Sequence, residues 1–159
     1  MSRHDTAPQH GENTQRAVDR RFAASPGTDH LRAGVERGRH VLQQERRRVR
    51  PDSWELAWSI VESSAELLPQ WDSMQAKRGA DALVVEDIVC RYLPQSLEAF
   101  LEIPDSKKPA AAPELLDQLS LMSAELRRAI RRLHGAQRTQ LEAVGDVLRL
   151  RFSGGHADD

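Results

Sequence analysis

The sequence predicts an all-α fold: a helical bundle of four to five helices, preceded by a disordered or loosely helical basic N-terminal arm. Three observations predict it. Apolar residues recur at spacings of three and four through most of the chain, the rhythm of one helix face. Prolines, glycines and acidic capping residues fall between the periodic stretches. No stretch shows the strict alternation of a half-buried strand. With aromatic residues at 4%, the core must be built from Leu, Val, Ile and Ala.

The 159 residues suit one domain with tails. Residues 1–29 are polar and carry Pro8, Gly11, Pro26 and Gly27, so they are expected to be a disordered tail. Residues 30–50 form a basic amphipathic helix. Leu31, Val35, Leu42 and Val49 make its thin apolar stripe, Asp29 is its expected N-cap and Pro51 ends it. Gly34 and Gly38 have the spacing of a close-packing motif, but that motif has force in apolar segments and this one is charged.

The bundle domain is assigned to residues 51–153. Asp52 and Glu55 read as a capping box. Trp54, Trp58, Val61, Ala65 and Leu68 form one apolar face, and Leu56, Ile60 and Leu67 a second, so this helix sits between neighbours. Residues 70–80 connect to the next helix, with Trp71 folding back as a plug. Asp81 caps a helix whose stripe is Val85, Ile88, Val89, Tyr92 and Leu93, continued by Leu97, Phe100 and Leu101. Pro94 interrupts it. Either one helix kinks there, or a second begins with Pro94 in its first turn.

Residues 104–113 read as a Pro- and Ala-rich linker. Pro113 opens a helix with Leu115, Leu119, Met122, Leu126, Ala129 and Leu133 in a 4-3-4-3-4 rhythm, and Gly135 is its natural C-cap. A last helix carries Leu141, Val144, Leu148 and Phe152 on one face, and residues 154–159 are a disordered tail. About 100 ordered residues bury a modest core, so self-association would add stability.

The overall charge of −1 hides a segregation. Residues 1–50 hold eleven arginines against six acids, whereas residues 51–112 hold five basic residues against eleven acids. Such asymmetry suggests a partner or an internal contact. Arg46, Arg47, Arg48 and Arg50 are the sharpest cluster, suited to an anionic partner or to a solvated helix end. Trp54, Trp58 and Trp71 are candidate interface anchors. Cys90 stands alone, so no internal disulfide forms. The six histidines show no i,i+4 ligand pair, and no E-x-x-H accompanies the paired carboxylates Glu62/Glu66 and Glu98/Glu102. No catalytic residue, metal or cofactor is expected. Lacking a secretory leader and any apolar run of roughly 18 residues, the chain is expected to be cytoplasmic.

Tyr92, Leu93, Pro94, Leu97, Phe100, Leu101, Ile103 and Pro104 are followed by Leu116, Gln118, Leu119, Leu121, Gly145 and Phe152. This pattern resembles a group of small all-helical actinobacterial proteins and, more loosely, XpaC-type proteins. It covers about residues 55–152, with "GDVLRLRF" as a variant ending. The resemblance implies a helical fold and no reaction. The expected function is a non-enzymatic interaction or scaffold protein. Its basic arm would contact an acidic protein partner or another copy. The alternative is association with nucleic acid or an anionic membrane through Arg46–Arg50.

Overall fold

Apolar positions three and four residues apart give each helix one face to bury, and the chain buries them against one another in a single core. The computed structural model describes residues 26–77 and 79–154. Their helices are α1 (Pro26–Gln44), α2 (Pro51–Ala65), α3 (Trp71–Lys77), α4 (Gly79–Asp87), α5 (Leu93–Glu102) and α6 (Lys108–Ser153). Short 3-10 turns join α1 to α2, α2 to α3 and α5 to α6. No strand occurs among the described residues. The tail expected over 1–29 lies outside the described residues as far as residue 25, and residues 26–29 are already helical. Of the tail expected at 154–159, only Gly154 is described.

Among the described residues the bundle already includes α1, from Pro26, and not only residues 51–153. Leu31, Val35 and Leu42 are fully buried, and α1 packs on α2 and on the turn after α4. Each such leucine contributes about 1.5–3 kcal/mol by burial, enough to commit a charged helix to the core. Gly34 and Gly38 are what bring α1 so close. A Cβ on Gly34 would stand 2.5 Å from Cys90 Sγ, and one on Gly38 2.8 Å from Val61 Cγ2. The G-x-x-x-G spacing, set aside because of the surrounding charge, is therefore a packing surface on the inner face of α1.

α2 starts one residue before the expected capping box. Pro51 occupies its first turn, and Asp52 Oδ1 accepts from the Ser53 amide at 2.8 Å. Its buried face is Ala57, Ile60, Val61 and Ser64, with Leu67 beyond; Trp54 and Trp58 are half-buried at the edge. Asp29 and Asp81 sit inside the first turns of α1 and α4 rather than capping them. Thr28 donates to Asp72 at 2.5 Å and ties the start of α1 to α3.

Of the two arrangements expected at Pro94, the second holds in part: a new α-helix begins with Pro94 in its first turn, but a π-turn rather than a break leads into it. α4 and α5 are joined by one π-turn, Ile88–Tyr92, with Pro94 in the first turn of α5. The Leu93 amide reaches back five residues to Ile88 O. A proline lacks the amide for the α ladder, and its ring crowds the carbonyl four residues earlier. The wider turn ahead of Pro94 gives that carbonyl room. It also rotates Tyr92 outward, to 43% exposure, and turns Leu93 inward. Tyr92 is thus not a core residue, while Leu97 and Phe100 of the same stripe are buried, Phe100 beside Leu115 of α6 and Leu97 beside Gly38 and Val41 of α1. Ile103 is extended and Pro104 follows, which ends α5.

The second half of the expected linker, from Lys108, and the two expected C-terminal helices are one helix of 46 residues. Pro109 lies in its first turn, Ala110–Ala112 favour the helix, and Pro113 is accommodated inside it. Gly135 is mid-helix, and no described glycine has positive φ, so the expected cap does not form. Leu115, Leu119, Met122, Leu126, Ala129 and Leu133 are all buried, against α2, α4 and α5.

Candidate functional site

The arginine cluster follows α1, where the chain turns through Arg46–Arg48. Arg46 lies over the Trp54 ring at 4.5 Å, and Trp54 stacks on Trp58 at 5.2 Å with planes 9° apart. The Trp54 indole N–H donates to Leu42 O at 2.6 Å. The three rings and planes therefore form a layered seal over the α1–α2 junction. Trp71, by contrast, is fully buried and unavailable as a surface anchor. Its indole N–H donates to Glu86 at 3.3 Å.

Arg48 is committed to the fold. It donates to Leu101 O at 2.9 Å and pairs with Glu45 at 3.2 Å and Asp105 at 3.4 Å. Lys108 is buried beside it and donates to Leu101 O at 3.2 Å and to Ile103 O, with Asp105 at 2.8 Å. Two cations thus satisfy carbonyls left unpaired at the end of α5. The hydrogen bond from Lys108, helped by Arg48, holds the Asp105 carboxyl below its usual range. Arg50 pairs with Asp52 at 2.9 Å. Arg47 is exposed. Arg47, Arg48, Arg50 and Lys108 line one open cleft of about 460 Å³ with Phe100 and Asp105. Arg46 is drawn away from that cleft onto Trp54.

Part of the charge segregation is satisfied inside the chain. Arg39 of the basic helix makes a two-pronged contact with Glu62 of α2, at 2.7 and 3.0 Å. That hydrogen bonding lowers the Glu62 pKa against an opposing effect of burial. Burial pushes the Cys90 thiol up, and its Sγ donates to His30 O at 3.6 Å; these features suit a packing residue rather than a nucleophile. Among the described residues no group of three or more His, Cys, Asp or Glu is placed to hold a metal ion. No helix among them is long and apolar enough to cross a membrane.

The feature sequence reasoning missed is at the far end of α6. The core-facing stripe stops at Leu133. Gln137 donates to Gln70 at 3.0 Å, and the side-chain hydrogen bonds recorded beyond it stay within the helix. Residues 137–153 then project as a rod of about 25 Å. Leu141, Val144, Leu148 and Phe152 share one face, as their spacing predicts, but no other element among the described residues covers that face. They and Val147 and Leu150 are between 47% and 80% exposed. Periodicity identifies an apolar face; it does not say whether anything packs on it.

No family model, curated protein or solved structure matches this chain. The arrangement itself offers a rigid platform, a small cationic cleft already partly neutralised, and an unpartnered apolar helix.

Proposed function

We propose that this protein is a non-enzymatic helical interaction module that docks a protein through the projecting end of α6. One observation carries the reading: six large apolar side chains stand exposed on a helix that has left its own bundle. Contiguous exposed apolar surface of this kind marks interaction sites. The basic segment 30–50 is not the docking element in this reading, because its apolar face and several of its cations are used within the bundle. The resemblance to the actinobacterial helical group is compatible with such a role and adds no chemistry.

The test is affinity purification from cells producing either the wild-type chain or Leu141→Asp/Leu148→Asp. Associated chains should depend on the stripe, copies of this chain included, each told apart by a second tag. Identical sets from both baits would sink the reading. A second reading, binding of nucleic acid or an anionic membrane, rests on Arg47 and Arg50 beside the cleft of α6. It requires binding that weakens steeply with salt and is lost in Arg46→Ala/Arg47→Ala/Arg48→Ala/Arg50→Ala. Two of these four arginines already hold carboxylates at 3.4 Å or less, which makes it the weaker proposal.

A further inference from the structure

The geometry points to a second copy of this chain as the occupant of the exposed α6 face, with the two rods packed antiparallel about an axis near Gly145. This rests on the reading of α6 as the docking element and names its partner.

Area is the first argument. Leu141, Val144, Leu148 and Phe152 expose roughly 500 Å² per copy, so a pair would bury at most roughly 1,000 Å² through them, the lower bound for a specific interface. Val147 lies beside Val144 and extends the apolar arc on one side, with Leu150 on the far face beyond it. Two copies of this surface are therefore enough to cover each other without a third component.

The flanking charges favour a like partner. Arg138 pairs with Glu142 at 3.2 Å and Arg149 with Asp146 at 3.0 Å, so the rod carries both signs on one flank. An anionic membrane would be met by a uniformly basic flank instead. In an antiparallel pair, like flanks meet. With the axis between Gly145 and Asp146, Glu142 of one copy comes level with Arg149 of the other, and Val144 and Leu148 lie within one residue of level. Gly145 leaves room at the crossing: no atom lies within 4 Å of where its Cβ would stand.

Direction follows from the bundle. Ile130 and His134 precede Leu141 by eleven and seven residues, so they lie within about 20° of it around the helix. There they line a groove of about 510 Å³ with Leu67, Gln70, Met74 and Arg127. The chain around α3 thus occupies this side of α6 at the bundle end. Parallel rods would force two bundles into that space. Antiparallel rods place the bundles at opposite ends and bring each Phe152 tip towards the other copy's groove.

Sedimentation of the purified full-length chain from 1 to 100 μM tests the pairing. The expected result is a dimer whose dissociation constant rises at least 100-fold in Leu141→Asp/Leu148→Asp, with an unchanged circular dichroism spectrum. A wild-type chain that stays monomeric overturns the proposal, as does a dimer indifferent to the double variant. Orientation is read by oxidation in a Cys90→Ala background. Gly145→Cys should cross-link between copies and Phe152→Cys should not; efficient linking at both positions overturns the antiparallel arrangement. A monomeric chain whose cellular partners still require the stripe would reject the second copy and leave the docking reading standing.

Discussion

Gly34 and Gly38 are the most tightly packed of the described glycines. In an exposed helix, Gly→Ala gains up to about 1 kcal/mol of helix propensity. In α1 the added methyl meets Cys90 Sγ or Val61 Cγ2 well inside van der Waals contact, and overpacking costs about 1–3 kcal/mol. Gly34→Ala and Gly38→Ala are therefore expected to lower the urea unfolding midpoint. Cys90→Ala should restore much of the loss in Gly34→Ala and none in Gly38→Ala, because only the former meets that sulfur. An unchanged midpoint in both single variants would contradict the close approach. The sequence shows the two glycines but not what faces them. Val61 and Cys90 are distant in the chain, and their arrival depends on how α2 and the π-turn pack.

At the scale of the element, α6 is where sequence and structure agree most closely in one half and diverge in the other. The 4-3-4-3-4 stripe from Leu115 to Leu133 was fully legible because a buried face leaves a periodic trace. The helix limits were not. Pro113 and Gly135 are punctuation by composition, yet neither stops a helix whose neighbouring residues favour it and which no turn requires to end. Pro113 is exposed and removes one rung of the ladder. Pro113→Ala should consequently stabilise the protein, by about 1–3 kcal/mol on the propensity scale. Thermal denaturation checks this, and a lower Tm would show that the proline ring has a packing role.

For the whole molecule, the relevant property is the distribution of charge. The segregation between a basic first third and an acidic middle was visible in composition, but its resolution was not. Part of it is met internally, by Arg39–Glu62 and Arg48–Asp105. Both carboxyls titrate below their ordinary range in the folded chain. A lowered folded pKa contributes stability above the unfolded value and loses it as pH falls through the folded one. Stability is thus expected to fall as pH drops below about 4.3, the ordinary glutamate value. Glu62→Gln should flatten part of that fall and cost about 0.2–1 kcal/mol at pH 7, the range for partly exposed pairs. Urea midpoints at pH 7 and pH 3 for both proteins provide the check; parallel slopes would remove Glu62 from the account.

The π-turn before Pro94 has a different kind of consequence, in what the gene can lose. The buried positions Val85, Val89, Leu93 and Leu97 are four apart three times in succession, more than an α-helix face sustains. One residue fewer within Ile88–Tyr92 would restore alternating spacings of four and three. Helix interiors ordinarily reject deletions, since everything beyond rotates by about 100°. Here the deletion of Arg91, combined with Pro94→Ala to return the missing amide, is expected to leave a folded bundle, whereas deleting Leu119 from the regular part of α6 should abolish it. Circular dichroism with a cooperative melt distinguishes the two. This helix behaves as one that has already absorbed an inserted residue, with the proline fixing where the surplus is kept.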